Sequence, residues 1–371
     1  MKKKIAVIFG GKSCEHDISI LTALQAMKNL DKSRYEVFPV YLRGGFFCGK
    51  LDRLSAFTPF DETEHKRAFI FDGAFYQSGK KLAKLFAPDA ALLCTHGGDG
   101  ENGSLQGLLD VEGIPYTSSG VLGSAVCMNK IISKEIFGSM LLNTLKYTVV
   151  KRDEFKSGAD AAIEKIESLF DYPVIVKPAS LGSSIGIQIA KNADELKSAI
   201  EIASHFDGEI IAERALTDFL EINCAAIFYD GELIVGETEQ PVSWNAFLTY
   251  EDKYLVGGKL SGARRKIPAP VSDETNREVK ETVKRIYSEL GLRGVVRIDF
   301  LFDNISEKLF VNEVNTIPGS LSYYLFEPRG ITYPALLDML IAQAENDAQK
   351  SRQSAFEFAS PVLSAVSGLK K

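Results

Sequence analysis

Ile5-Ala6-Val7-Ile8-Phe9-Gly10-Gly11 sets the fold. Five consecutive apolar residues suit a strand buried on both faces of a parallel sheet, and two glycines end it in a tight turn. Ile18, Leu21, Leu24 and Met27 follow at helical spacing and residues 35–42 return as a second strand, so the opening is a βαβ unit. Further out, residues 90–94 read as a strand running into Thr95-His96-Gly97-Gly98-Asp99-Gly100-Glu101-Asn102-Gly103, with a helix from about Ser104 and a strand near Ile114-Pro115-Tyr116. Ligands of open parallel sheets collect at such strand-to-helix turns. Residues 1–125 therefore read as an N-terminal doubly wound parallel α/β domain that is a candidate for holding substrate.

From about Asn129 the pattern becomes α+β, with helices expected near 130–140 and 160–170. Tyr172 to Lys177 reads as a strand, residues 178–184 as a small-residue loop and Ile185 to Ile189 as the returning strand, which together make a flexible flap. Strands at 209–212 and 221–229, the turn Asp230-Gly231 and a return through Val235 open a second α+β region. An amphipathic helix at about 274–290 precedes strands at 294–302 and 308–314. The division is thus a flap domain over 126–213 and a C-terminal domain over 214–350. A polar, Gly- and aromatic-containing excursion at 240–263 has a length usually reserved for functional loops, and 351–371 reads as a helix followed by a loose tail.

Composition narrows the partners. The 371 residues carry 43 Lys+Arg against 49 Asp+Glu, a net charge of -6, which offers no global attraction to nucleic acid or an anionic membrane. No apolar run approaches the roughly 18 residues of a membrane span, and the N-terminus does not resemble a signal peptide. The five cysteines are odd in number and contain no C-x-x-C pair, which argues against a disulfide framework or thiolate zinc site and for a reducing, cytoplasmic setting. The four histidines form no H-x-x-x-H pair. Any metal should be held by oxygen ligands.

Arg297-Ile298-Asp299-Phe300 lies on one expected strand and Asn312-Glu313-Val314-Asn315-Thr316 ends the next. If those strands pair antiparallel, Asp299, Glu313 and Asn315 project from one face, because side chains alternate with period two. An Asp and a Glu on paired strands are ordinarily a solvated face, but the flanking residues here are apolar, so these carboxylates belong to a buried neighbourhood suited to Mg²⁺. Lys177 ends an apolar strand before a loop of small residues that lets backbone N–H groups approach phosphate oxygens. It is not a Walker loop, since G-x-x-x-x-G-K-[ST] is absent.

Lys130, Lys177 with its Gly-Ser-Ser loop, residues 213–216, Glu221, Arg297-x-Asp299 and Asn312-Glu313-x-Asn315 resemble the ATP-grasp superfamily. Residues 10–19, 96–107 and Asn315-Thr316-Ile317-Pro318-Gly319 more narrowly resemble D-alanine-D-alanine ligases, over about residues 4–340. The resemblance implies a two-subdomain ATP-grasp fold after the first domain, and ATP-dependent joining of two D-alanines through a D-alanyl phosphate for peptidoglycan precursors. It implies that Lys130, Lys177 and Ser184 contact ATP phosphates, that Glu213 to Leu216 meets adenine, and that Glu221 holds the ribose. Asp299, Glu313 and Asn315 match ligands of two Mg²⁺ ions, for which Mn²⁺ can substitute. Glu15 matches the anchor of the first ammonium, linked to residues matching Ser183 and Tyr254. Lys253, in the closing loop, matches a γ-phosphate contact, and Arg297 with the Gly319 N–H matches the oxyanion site. His96, Glu101, Ser322 and Tyr324 match positions at the substrates. The Lys253-Tyr254 pair favours a dipeptide over a depsipeptide product. A homodimer is implied as well, and the apolar positions of 104–127 serve either that surface or the core.

Two positions depart from the family pattern. Tyr324 stands where a serine usually helps hold the second substrate's carboxylate, and Leu181 stands where the phosphate loop often has Glu. Tyr324 keeps a second reading open, a ligase with another acceptor such as D-serine. A third, a nucleotide-binding module without catalysis, is disfavoured by the complete set Lys130, Lys177, Arg297, Asp299, Glu313 and Asn315.

Overall fold

A computed structural model of the chain describes residues 1–79, 81–241 and 265–353. The opening unit is as expected: β1 (Lys3–Gly10), α1 (His16–Asn29) and β2 (Tyr35–Leu42), with β2 parallel to β1. Ile5 to Phe9 are fully buried. The chain then adds β3 (Phe46–Cys48), β4 (Lys66–Phe71), β5 (Ala74–Gln77) and β6 (Ala83–Phe86) before β7 (Ala90–Leu93) returns parallel to the other side of β1. The seven-stranded sheet has the order β6-β5-β4-β3-β2-β1-β7, and the pairings from β2 to β6 are antiparallel. The expected α/β class holds, with the correction that its sheet is mixed. The meander has short, irregular apolar runs that carry no clear period. Ile114 to Tyr116 forms no full strand but one parallel bridge, Ala91 to Tyr116.

The helix expected from Ser104 is α2 (Ser104–Val111), and a further helix, α3 (Val121–Met128), follows it. Leu105 and Leu109 join the core, whereas Leu108, Val111, Val121 and Leu122 are exposed. After α4 (Lys130–Ser139) and β8 (Tyr147–Lys151) come α5 (Arg152–Ser157) and α6 (Ala159–Glu167). The flap hairpin is β9 (Val174–Pro178) and β10 (Gln188–Ala190), so its loop is longer than expected, because residues 185–187 belong to the turn. α7 (Ala193–Phe206) and β11 (Glu209–Arg214) complete an antiparallel sheet, β10-β9-β11-β8, whose apolar face packs on α6 and α7.

The third sheet, β14-β13-β12-β15-β16, holds β12 (Phe219–Tyr229), β13 (Glu232–Pro241), β14 (Arg265–Lys266), β15 (Val296–Asp303) and β16 (Lys308–Asn315). Between β14 and β15 runs α8 (Asp273–Glu289), capped by Ser272, whose hydroxyl accepts from the Thr275 N–H. Its buried stripe Thr275, Val279, Thr282, Val283 and Ile286 follows the helical period. Alternation on β12 divides the labour of its faces. Ile222, Cys224 and Ala226 pack with α8, while Ala225 and Ile227 join the core of the first sheet. α9 (Tyr333–Arg352), not foreseen from sequence, inserts Leu336, Leu337, Leu340 and Ile341 into that same first core. Among the described residues no helix is long and apolar enough to cross a membrane.

Because α9 helps close the core shared by the first and third sheets, Leu337→Ala should cost about 2–5 kcal/mol in urea unfolding. Ile305→Ala, at a 70% exposed position, should stay within about 0.5 kcal/mol of the parent.

Candidate active site

Antiparallel pairing carries one row of polar side chains across the third sheet. Glu239 on β13 faces Asn223 on β12, Asn223 faces Asp299 on β15, and Asp299 faces Glu313 on β16. The neighbouring row pairs Arg297 with Asn315. Residues two apart share a face, so Arg297, Asp299, Glu313 and Asn315 converge as expected. They line a cavity of about 270 Å³. Arg297 forks onto Asp299, Nε at 2.6 Å and one Nη at 2.7 Å, and Asn315 Nδ2 donates to the same carboxylate at 3.1 Å. Burial alone would weaken the guanidinium's hold on its proton, but the Asp299 carboxylate more than reverses this and raises its pKa.

A narrower cleft adjoins the cavity, sharing Glu221, Asn223, Asp299 and Glu313 with it. Its walls are apolar at Leu145, Ile175, Leu216, Phe219 and Leu301 and carry Lys130, Lys177 and Ser184. Lys130 Nζ donates to the Leu181 carbonyl at 2.7 Å and lies 3.4 Å from Glu313. Glu213, wholly buried, takes Lys134 at 2.6 Å and Lys177 at 2.5 Å. Burial would push its carboxyl pKa up, yet the two ammonium groups, Lys177 foremost, bring it below the usual range, so Glu213 is the anion of a buried triad.

The first sheet supplies the cavity's other wall. Glu15 precedes α1, and its carboxylate accepts a hydrogen bond from the Ser183 hydroxyl. Space around it is tight. A Cβ on Gly97, whose φ is +63°, would lie 2.7 Å from Glu15 Oε2, and one on Gly182 would meet the same atom at 2.7 Å. A side chain at either position would push the Glu15 carboxylate aside, and Gly97 also holds a left-handed backbone that glycine adopts without strain.

His96 and Glu101 line the cavity but direct their polar atoms largely at protein. His96 Nδ1 is 2.7 Å from the Ile317 carbonyl, which can only accept, so the ring donates there and accepts at Nε2 from the Thr22 hydroxyl at 2.9 Å. Burial pushes this imidazole down to about 4, and Arg297 adds to the effect, while the bond to Ile317 opposes it. Glu101 accepts from the N–H groups of Gly97 (2.9 Å) and Ile317 (3.1 Å), and burial, then the nearby Glu15, pushes it up to about 7. Together the two residues hold Ile317 by both its backbone groups.

Gly319 and Tyr324 line the cavity as expected. Ser322 does not. Residues 320–322 run through left-handed backbone (φ +51°, +52° and +47°), and Ser320 is the serine in the wall, whereas Ser322 is fully buried outside it. Lys253 and Tyr254, with most of the 240–263 loop and all but three residues of the 351–371 segment, lie outside the described residues. Three site residues were missed from sequence. Lys134 follows Lys130 by four, which places both on one helix face. Glu239 and Arg265 were hidden because β13 runs on to Pro241 past a register shift at Cys224/Ala226.

The His96 environment has a pH signature. Its folded pKa, about 4, lies below the ordinary 6.5, so the unfolded chain binds the proton first and stability falls as pH drops from 6.5 towards 4. Over that window the wild type should lose about 3 kcal/mol more than His96→Asn, measured as the change in unfolding free energy between pH 7 and pH 4. Equal losses would refute the assignment.

Known proteins resemble this chain in sequence and fold. Residues 4–119 match the family model described as D-ala D-ala ligase N-terminus, and residues 136–342 match D-ala D-ala ligase C-terminus. A D-alanine--D-alanine ligase of Caldicellulosiruptor bescii is 38% identical over 95% of this chain and 97% of its own. One of Clostridium acetobutylicum is 34% identical over 94% of this chain and all of its own. Among solved structures, the VanG D-Ala:D-Ser ligase of Enterococcus faecalis is 28% identical with a TM-score of 0.78, covering 93% of this chain and 100% of that one. With both family models matched in order and such relatives aligned nearly end to end, this chain belongs to the D-alanine-D-alanine ligase family.

Proposed function

We propose that this protein joins two D-alanines to D-alanyl-D-alanine at the cost of one ATP, for peptidoglycan precursors in the cytoplasm. The observation that carries this is a single connected site, in which the Glu15–Ser183 pair shares one cavity with Arg297 and the carboxylate row, beside the lysine-bearing cleft. The free cysteines suit a reducing compartment. The exposed apolar face of α2 and α3 suits a homodimer. The three sheets support three functional units, 1–125, 126–213 and 214–350.

Chemistry follows from charge. A carboxylate does not condense with an amine in water, so a first D-alanine carboxylate oxygen attacks the γ-phosphorus of ATP, ADP leaves, and D-alanyl phosphate forms. The second D-alanine's amine attacks the acyl carbon, and inorganic phosphate leaves with the P–O bond intact as the amine gives up its extra proton. Glu15 anchors the first ammonium and Ser183 orients Glu15. Lys130 and Lys177 face the phosphates, with Ser184 beside them, and Lys253 and Tyr254 of the loop complete the set. The apolar slot at Leu216 takes adenine, with Glu213 at its end and Glu221 at the ribose. Arg297 and the Gly319 N–H stabilise the oxyanion of the tetrahedral stage.

The donor set, Asp299, Glu313 and the Asn315 amide, is all oxygen and fits Mg²⁺, or Mn²⁺ in its place. Such ions would neutralise charge on the phosphates. Among the described residues no cluster of three His, Cys, Asp or Glu forms a metal site by itself. Tyr324 in the wall favours a second reading, in which the acceptor is D-serine or another D-amino acid. Mass spectrometry of products from ATP, Mg²⁺, D-alanine and a panel of D-amino acids separates the two, and D-alanyl-D-alanine should dominate. Absence of any D-alanine-dependent phosphate release would overturn both.

Glu313→Gln removes a charged ligand while keeping shape, so turnover should fall by about 100-fold or more with the melting temperature little changed. Near-normal turnover would take Glu313 out of the metal site.

A further inference from the structure

Glu239, Tyr324 and Arg265 form a cluster in the cavity wall to which the chemistry above assigns no task. Glu239 is buried, 3% exposed. Its Oε1 accepts from the Tyr324 hydroxyl at 3.0 Å and from Asn223 Nδ2 at 3.2 Å. Arg265 Nη1 lies 3.6 Å from the other oxygen, and the guanidinium carbon sits 3.5 Å above the centre of the Tyr324 ring. Pairing of Pro241 with Arg265 between β13 and β14 ties this arginine to the same sheet.

The phenol has one proton, and Glu239 holds it. Tyr324 therefore cannot donate to a substrate carboxylate as a serine hydroxyl would. It offers instead an aromatic face, and a guanidinium over such a face keeps its N–H edge for acceptors in its own plane. The second amino acid enters with an α-carboxylate that survives into the product, and this charge needs a cation in a partly buried wall. Among the described residues, two cationic side chains line the cavity, Arg265 and Arg297, and Arg297 is forked onto Asp299.

We propose that Arg265 binds the α-carboxylate of the second amino acid, with Tyr324 as its platform and Glu239 as the anion that orients it. Arg265 is then a specificity-determining contact and Tyr324 and Glu239 are positioning residues. The assignment rests on the ligase reading above. It explains how this chain dispenses with the serine at 324: carboxylate recognition moves from a hydroxyl to a supported guanidinium.

D-alaninamide tests this, because it has no carboxylate to be phosphorylated and can act only as acceptor. The full-length enzyme is given ATP, Mg²⁺, D-alanine and D-alaninamide together, and the ratio of D-alanyl-D-alanine to its amide is read by mass spectrometry. The wild type should favour D-alanine, and Arg265→Gln and Arg265→Ala should lower the ratio about tenfold or more, chiefly through KM for the second D-alanine. Arg265→Lys should retain part of the preference. Tyr324→Phe, which keeps the ring, should hold the ratio, whereas Tyr324→Ala should lower it. An arginine that merely balances Glu239 would depress both products together, and an unchanged ratio in an active Arg265→Gln enzyme would overturn the assignment alone. A wild type with no D-alanine-dependent product would overturn the ligase reading and this assignment with it.

Discussion

Antiparallel registration of β13, β12, β15 and β16 is the constraint on which the site depends. Hydrogen-bonded pairing places Glu239, Asn223, Asp299 and Glu313 in one line, and the pleat turns the whole line to one face. A slip of one residue on any of these strands would exchange a cavity-lining polar residue for a core side chain. The opposite face prevents such a slip, because Ile222, Cys224, Ile298 and Val314 are buried there with α8. Core packing and site geometry are thus two faces of one alignment.

Charge balance is the second level. The chain is acidic overall, yet its buried anions are matched locally. Asp299 has Arg297, Glu313 has Lys130 nearby, and Glu213 has Lys134 and Lys177. Breaking such buried pairs leaves an uncompensated charge, which is costly, whereas the intact sets contribute little net stability. In the proposed function, their use lies in holding cations and anions a few ångströms apart, where a phosphate or metal ion would insert and redistribute them. His96 and Glu101 work through hydrogen bonds to the backbone, fixing Ile317 and thereby the turn that presents Gly319 and Ser320.

Much of this was legible in the sequence because it rests on short-range pattern. The run Ile5 to Phe9 marked the strand that pairs parallel on both sides, and the two-residue spacing in Arg297-x-Asp299 and Glu313-x-Asn315 marked the face they share. What escaped depended on longer-range facts. The meander after β2 has no period to read. Glu239 could be placed opposite Asn223 only by knowing the length of β13 and its bulge. Ser322 and Ser320 differ by two residues in sequence, and only the left-handed backbone decides which reaches the cavity.

The account's central claim is that the cavity and the cleft form one site in which an amino-acid carboxylate is phosphorylated and then displaced. D-alanine labelled with ¹⁸O in both carboxylate oxygens, incubated with the enzyme, ATP and Mg²⁺, tests it most directly. One labelled oxygen should appear in the inorganic phosphate for each dipeptide formed, because the carboxylate oxygen that attacks phosphorus leaves with it. Dipeptide formation with unlabelled phosphate would contradict the account.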